Sequence, residues 1–240
     1  MKLYHGTTET IARAALERGL SPRADTGVAS VWKEMPSRDD MVYLSASYAL
    51  YFAMAAVGSD EKCGIVEVDT DLMESSLLHP DEDFLEQATR DRTDLAPSFL
   101  DMEGRTAWYR DNLESFQPHW DLSIKGLGNC AYLGQIVPAE ITRVAIFDPT
   151  KAPSIAFMAL DPMISLINYH FMSTKYRALM SWLFGEVVRL SDFDPMFGVL
   201  QWPAEHADSD LVKHIQERQQ AFEGMLRDRS AIEILERTVV

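Results

Sequence analysis

The stretch Leu3-Tyr4-His5-Gly6-Thr7 stands near the start of the sequence and is followed directly by Glu9–Arg18, in which apolar side chains recur at helical spacing. The apolar and aromatic residues before the glycine predict a short strand that turns at Gly6. Thr7 or Thr8 can cap a helix over Glu9–Arg18, Gly19 supplies its left-handed end, and Pro22 prevents a restart. These residues therefore predict a strand followed at once by a helix.

Farther along the chain, strand and helix patterns alternate without a regular order. Residues 41–44, 64–69, 130–137 and 141–148 predict strands, and the alanine- and aromatic-rich residues 48–57 predict a buried helix. The long acidic segment 71–125 predicts two or three helices broken at prolines. Because no strand–helix–strand rhythm runs through these elements, the pattern favours an α+β domain over a parallel sheet.

The character of the sequence changes near residue 150. Asp161-Pro162 is a strong helix start, and residues 176–189 and 209–229 predict two more helices. We therefore predict a domain over residues 1–150 and an α-helical carboxy-terminal extension over residues 151–240. The last helix carries an apolar stripe that would dock on its own domain or engage a protein partner: Leu211, Ile215, Phe222 and Leu226.

Charge and composition exclude several classes of protein. The formal net charge is −15, from 22 Lys and Arg against 37 Asp and Glu, which disfavours broad non-specific binding to nucleic acid. Cys63 and Cys130 are too few for a disulfide framework or a zinc quartet. No apolar run reaches the roughly 18 uncharged residues that a membrane helix needs, so we expect a cytoplasmic protein with no membrane partner.

Two segments resemble known motifs when they are taken together. Leu3-Tyr4-His5-Gly6-Thr7, with Val42-Tyr43-Leu44-Ser45 and Tyr48–Ala53 about 40 residues later, resembles the first two motifs of the ADP-ribosyltransferase family. The resemblance is to the branch that uses His, Tyr and a variable third residue, which includes poly-ADP-ribose polymerases and diphtheria-type toxins; tRNA 2′-phosphotransferases share that architecture. The sequences of residues 78–83 and 127–132 also resemble those of a group of uncharacterised bacterial and phage proteins with this fold.

The resemblance covers residues 1–148 and implies a split β-sandwich of two small sheets with flanking helices. It also implies that NAD is the co-substrate. His5 would bond the adenosine ribose, the backbone of Gly6 would pair with the nicotinamide amide, and Thr7 would add a hydroxyl contact. Tyr43 and Tyr51 would enclose the nicotinamide ring between them.

Three more residues complete the predicted NAD-binding set. Ser45 follows Tyr43 in the second motif, and Tyr48 stands where the polymerases carry a small hydroxyl residue. Arg23 follows the turn at Pro22 and is a candidate for the pyrophosphate.

The third motif of the family is altered in this sequence. In that branch a Glu opens a late strand and holds the ribose beside the scissile bond, but residues 129–136 contain no acid. Asn129 lies nearest the expected place and Gln135 is the other candidate; either can hydrogen-bond a ribose hydroxyl, but neither supplies negative charge. The predicted catalytic set is therefore His5, Tyr43 and either Asn129 or Gln135. The replacement favours mono-transfer over polymer synthesis, and it also fits an inactive protein that retains NAD binding.

Two other patterns admit a second interpretation. Residues 126–131 fit G-x-G-x-x-A, but a strand before them and a helix after them, which a dinucleotide-binding turn requires, are missing from the pattern. Asp81-Glu82-Asp83 could bind a metal, yet acids at a helix N-terminus are the commoner meaning. We therefore predict neither a Rossmann unit nor a metal site.

The function we expect is NAD-dependent mono-ADP-ribosyl transfer to a protein or single-stranded nucleic-acid acceptor, with release of nicotinamide. The family that the sequence resembles, together with the similar bacterial and phage proteins, favours a role as a toxin or defence effector. Two alternatives stay open: a non-catalytic module of the same fold that binds NAD or a protein partner, and an RNA 2′-phosphotransferase. The second alternative needs a basic RNA pocket, which the sequence does not supply.

Overall fold

A seven-stranded antiparallel sheet is the framework of the protein in the computed structural model, which describes residues 1–30, 37–58, 61–91, 100–149, 177–189 and 209–237. The strands lie in the order β4-β5-β2-β1-β3-β6-β7 across the sheet. In chain order they are β1 Lys2–Thr8, β2 Met41–Ser45, β3 Cys63–Asp69, β4 Leu78–Pro80, β5 Asn129–Leu133, β6 Ile141–Phe147 and β7 Ile232–Glu236.

Helices join the strands and cover both faces of the sheet. The α-helices are α1 Glu9–Arg18, α2 Arg23–Thr26, α3 Ala49–Ala56, α4 Glu82–Ala88, α5 Met102–Asp111, α6 Trp120–Gly126 and α7 Asp210–Arg227. Residues 177–183 are also helical. Short 3-10 turns lie at Ser75–Leu77, Leu113–His119 and Pro138–Glu140.

The predicted helix after β1 is confirmed together with its caps. Thr8 is extended and its Oγ accepts a hydrogen bond from the Ile11 N–H at 3.4 Å. Gly19 ends the helix at φ 80°, a conformation that favours glycine, and its N–H bonds the Ala15 carbonyl at 2.9 Å. This local chemistry explains why the boundaries of α1 follow from the sequence.

The sheet is continuous, whereas the family resemblance implied two small sheets. β1 pairs with β3 over seven residues but with β2 at one pair, Tyr4 with Ser45. That pair joins the strands β4, β5 and β2 to the strands β1, β3, β6 and β7. The α+β class is confirmed, while two separate sheets are not.

The two faces of the sheet bury different clusters. On the α1 face, Leu3, Val42 and Leu44 pack with Ala12 and Ala15 of α1. On the opposite face, which we call the α3 face, one cluster holds β1, β3 and β6 against α3 and the 177–183 helix: Tyr4, Ile65, Ala145, Phe147, Ala49, Leu50, Ala53, Trp182 and Leu183. A second cluster on the same face sets Tyr43, Met41 and Ala131 against Leu85 of α4 and Tyr109 of α5.

The described carboxy-terminal segments are not wholly helical. β7 pairs with β6 from Phe147–Ile232 to Arg143–Glu236, and its side chains alternate, Ile234 packing on the α3 face and Leu235 on the α1 face. This strand was not predicted, because its five residues follow a long helical pattern. The helix start at Asp161-Pro162 lies outside the described residues, as do the side chains of Leu211, Ile215 and Phe222. The boundary at residue 150 stays a prediction.

Candidate functional site

The His5 side chain occupies the place where β1 and β2 separate. Immediately before it, Tyr4 makes the one residue pair between these strands. His5 Nδ1 lies 2.9 Å from the Tyr43 carbonyl oxygen. At this position the imidazole of β1, and not a backbone N–H group, makes the hydrogen bond to β2. The first two predicted motifs therefore meet through a direct hydrogen bond.

This hydrogen bond fixes the tautomer of His5. A carbonyl oxygen only accepts hydrogen bonds, so Nδ1 carries the proton and Nε2 of the neutral ring is an acceptor. Burial lowers the pKa of the imidazole below its ordinary value, and the bond to the Tyr43 carbonyl opposes that shift only in part. His5 therefore presents a neutral acceptor nitrogen.

Gly6 has a packing reason to be glycine. A Cβ at this position would lie 1.9 Å from the Ala49 carbonyl oxygen and 2.5 Å from the Ala53 nitrogen, both in the backbone of α3. Helix α3 therefore lies directly against β1 at Gly6. The same helix carries Tyr51, whose ring is partly buried beside Phe52 at a centroid distance of 5.6 Å.

The hydroxyl of Ser45 bonds three backbone groups. Its Oγ accepts from the N–H groups of Tyr48 at 2.7 Å and Ser47 at 3.1 Å, and donates to the Gly128 carbonyl at 3.1 Å. These bonds fix the turn from β2 into α3 and attach it to the start of β5. Tyr48 stands just before α3 and belongs to the hydrophobic cluster beneath it. Both residues thus have structural roles in this geometry.

Asn129 lies beside this turn on β5, directly opposite Ser45. It is 8% exposed, and its Oδ1 is buried without a hydrogen-bond partner. Burial of an amide oxygen without a hydrogen-bond partner costs on the order of 1–3 kcal/mol of stability, and a ligand that donates a hydrogen bond to the oxygen would remove that cost. Gln135 lies elsewhere: it is exposed beyond the end of β5, and its Nε2 donates to the Arg18 carbonyl at 2.7 Å.

The Tyr43 side chain points away from His5 toward α4. Its hydroxyl lies 2.9 and 3.0 Å from the two carboxylate oxygens of Glu82, and it accepts from the Arg38 N–H at 3.1 Å. Burial and the neighbouring carboxylates Glu82 and Asp81 raise the pKa of the phenol well above its usual range. The phenol is therefore the donor and the carboxylate is the acceptor.

Ser123 connects the start of α4 to Asn129. Its Oγ accepts from the Asp81 N–H at 2.9 Å and donates to the Asn129 carbonyl at 2.7 Å. Asp81 caps α4 by accepting from the Asp83 N–H at 2.9 Å, which agrees with the predicted helix N-terminus. Burial raises the pKa of Asp81 well above its usual range, and its neighbours Glu82 and Asp83 add to the shift.

His79 belongs to the same part of the α3 face. It pairs with Ala131 on β5, which pairs in turn with Tyr43 on β2, so the three side chains form one row across the sheet. The ring is 3% exposed, its Nδ1 lies 3.5 Å from the Leu113 carbonyl, and its Nε2 is buried without a partner. The α3 face thus holds two unpartnered buried acceptors, on His79 and on Asn129.

The structure brings four predicted residues onto adjacent strands: His5 on β1, Tyr43 and Ser45 on β2, and Asn129 on β5. Thr7 is buried on β1 opposite Gly64. Arg23 begins α2 and donates to the Ser37 carbonyl, so its bond holds the segment before β2.

Four residues that the sequence interpretation did not assign to the site are neighbours of Tyr43 or Asn129 on the α3 face: His79, Asp81, Glu82 and Ser123. The acidic run after Pro80 was a usable signal, but it was interpreted as a helix cap. In the part of the chain that the structure describes, no three metal-binding side chains cluster, and no helix is long and apolar enough to cross a bilayer.

Comparison with known proteins adds little to this geometry. No protein-family model matches the chain, and no curated protein matches it. The solved structure named EcPltA aligns with a TM-score of 0.34 at 5% identity, over 61% of this chain and 75% of that one. A likeness this weak carries no argument about fold or function, so the site rests on its own geometry.

Proposed function

We propose that this chain is an NAD-dependent mono-ADP-ribosyltransferase whose site lies where β1 and β2 separate. The observation that carries the proposal is the bond from His5 Nδ1–H to the Tyr43 carbonyl at 2.9 Å, which leaves Nε2 as a fixed acceptor. An acceptor held in one orientation suits a ribose hydroxyl, because the tautomer is set before the substrate arrives.

Asn129 provides a second acceptor for the same substrate. Its unpartnered Oδ1 lies on β5, one strand beyond β2, and a ribose hydroxyl would satisfy it. Nicotinamide is a good leaving group, so orientation and stabilisation of the oxocarbenium-like sugar are the main tasks of the protein. Because no acid stands on β5, we propose single transfer and not chain elongation.

The acceptor is proposed from charge and family resemblance. With a net charge of −15 the chain repels polyanions at long range, which favours a protein or small acceptor over an extended nucleic acid. A single-stranded nucleic acid held in a local groove is the other acceptor that we propose to test. A role as a bacterial or phage toxin or defence effector would follow from transfer to a cellular target.

The test is release of nicotinamide from NAD by the purified chain. We expect the wild-type protein to bind NAD and release nicotinamide, and His5→Ala to abolish the release. His214→Ala is the matched control, because His214 is exposed on α7 and takes no part in the site. Equal rates in wild type and His5→Ala would refute the proposed site.

Binding of NAD without turnover would identify the non-catalytic module instead. The absence of an acid from β5 is the feature that favours this second candidate. Calorimetric titration with NAD, performed on the same preparations, separates the two functions. Mass spectrometry of protein and RNA after induced expression would then identify the acceptor by the added ADP-ribose.

A further inference from the structure

Glu82 is a buried carboxylate held by a tyrosine of the proposed site. It is 5% exposed at the first position of α4, and both its oxygens lie within 3.0 Å of the Tyr43 hydroxyl. Three charged groups face it: Asp81 and Asp83 from the same helix start, and Arg110 from α5. The carboxylate is therefore fixed in direction and largely removed from water.

Other buried glutamates of the described residues have evident structural partners. Glu67 is paired with Arg143 at 2.7 Å, and Glu86 with Arg90 at 3.0 Å. Glu140 accepts from the Val137 N–H at 2.8 Å, which ties together the turn before β6. Each of these contacts explains why a carboxylate is buried there. Glu67 and Glu86 are neutralised by arginine, whereas the bond that the Tyr43 hydroxyl donates from β2 to Glu82 on α4 brings no positive charge.

A second observation indicates that a ligand belongs beside Glu82. Asn129 Oδ1 and His79 Nε2 are buried without partners on the sheet face against which α4 packs. Ser123 ties the backbone of Asn129 to that of Asp81, the residue before Glu82, through bonds of 2.7 and 2.9 Å. The unpartnered acceptors and the carboxylate thus lie around the same part of the sheet.

We propose that Glu82 supplies the carboxylate that β5 lacks and serves as the base that receives the proton of the acceptor. This inference rests on the proposed transferase function. In the step, the bond from ribose C1′ to nicotinamide nitrogen breaks, and its electron pair neutralises the charge of the ring. The O–H or N–H nucleophile of the acceptor bonds to C1′, and its proton passes to a Glu82 oxygen.

The surroundings of Glu82 suit this role. Burial raises its pKa above the ordinary range of a glutamate, which brings the carboxylate closer to the working pH of a general base. The Tyr43 hydroxyl donates to it and opposes that shift, so Tyr43 is a positioning residue for the carboxylate. Since the base must be ionised to act, the rate should fall as the pH decreases through the pKa of Glu82.

The test compares Glu82→Gln, Glu82→Asp and Glu140→Gln with wild type, with NAD as substrate and water as acceptor. Glu140 is a matched control because it is also buried and also accepts from a tyrosine hydroxyl, that of Tyr132 at 3.1 Å, on the α1 face. Nicotinamide release is measured from pH 5 to 9, NAD affinity by calorimetry, and folding by circular dichroism.

We expect Glu82→Gln to lower the rate roughly 100-fold or more and to remove its decline at acid pH. Glu82→Asp should keep that decline at a reduced rate, and Glu140→Gln should resemble wild type. If Gln is not tolerated at position 82, an unaltered rate and pH profile in Glu82→Asp overturns the inference.

The two proposals fail in distinguishable ways. A wild-type rate and pH profile in folded Glu82→Gln, together with an inactive His5→Ala, overturns the role of Glu82 and leaves the transferase function standing. A wild-type protein that neither binds NAD nor releases nicotinamide overturns both.

Discussion

Replacement of Gly6 by alanine tests how closely β1 and α3 approach each other. The added Cβ would lie 1.9 Å from the Ala49 carbonyl oxygen, while real contacts of this kind are essentially never under 3.0 Å. Helix α3 would have to move by about 1 Å, and neither contacting atom belongs to a flexible side chain. Overpacking of a tight core costs about 1–3 kcal/mol, and a clash with backbone belongs at the upper end of that range.

We therefore expect Gly6→Ala to lower the free energy of unfolding by about 3 kcal/mol, which corresponds to a fall of roughly 10 °C in Tm. Urea denaturation followed by circular dichroism measures the change. Gly224→Ala is the control, since an added Cβ on α7 meets no described atom within 4 Å, and it should stabilise the helix by about 1 kcal/mol. A Gly6→Ala protein within about 0.5 kcal/mol of wild type would refute the close packing of α3 on β1.

Three further variants test the surroundings of the site. Ser123→Ala removes the bonds to Asp81 and Asn129 and should destabilise the fold by about 1–3 kcal/mol in urea denaturation; an unchanged midpoint would contradict the bridge. Arg143→Ala leaves Glu67 buried without its ion pair and should lower the free energy of unfolding by about 3 kcal/mol or more in urea denaturation. An unchanged free energy of unfolding would show that the pair contributes nothing to stability. Asp81→Asn concerns pH: because the pKa of Asp81 is raised in the folded state, its favourable contribution is present below the unfolded pKa and is lost as the pH rises through the folded one. The free energy of unfolding of the variant, relative to that of wild type, should therefore increase as the pH rises from 5 to 8. An equal difference in the free energy of unfolding at the two pH values would count against the burial of an ionisable group.

Local signals account for the parts of the fold that the sequence predicts well. The Thr8 cap and Gly19 determine α1 within a few residues of chain, and the short apolar runs of β3 and β6 predict strands without tertiary information. Contacts between distant residues account for the rest. The continuity of the sheet depends on one pair, Tyr4 with Ser45, and the three residues of β4 form a strand only because β5 lies beside them.

The candidate site divides in the same way. His5, Tyr43 and Asn129 are strand residues whose neighbours follow from strand order, and the structure places them on adjacent strands. Glu82 could not be assigned from sequence, because an acid in the first turn of a helix is usually solvated. Its burial depends on how α4 packs against β2, which no local pattern encodes. Gln135 was a candidate by proximity along the chain, yet its amide bonds the carbonyl of Arg18 at the end of α1.

The most direct test of the NAD site between β1 and β2 is nitrogen-15 NMR of the His5 imidazole during titration with NAD. In the free protein we predict a proton on Nδ1 and none on Nε2, because the Tyr43 carbonyl accepts from Nδ1. Added NAD should shift the Nε2 resonance of His5 and leave the ring of His214 unchanged. A His5 resonance that does not move when NAD is bound, or a proton found on Nε2 in the free protein, would contradict the proposed site.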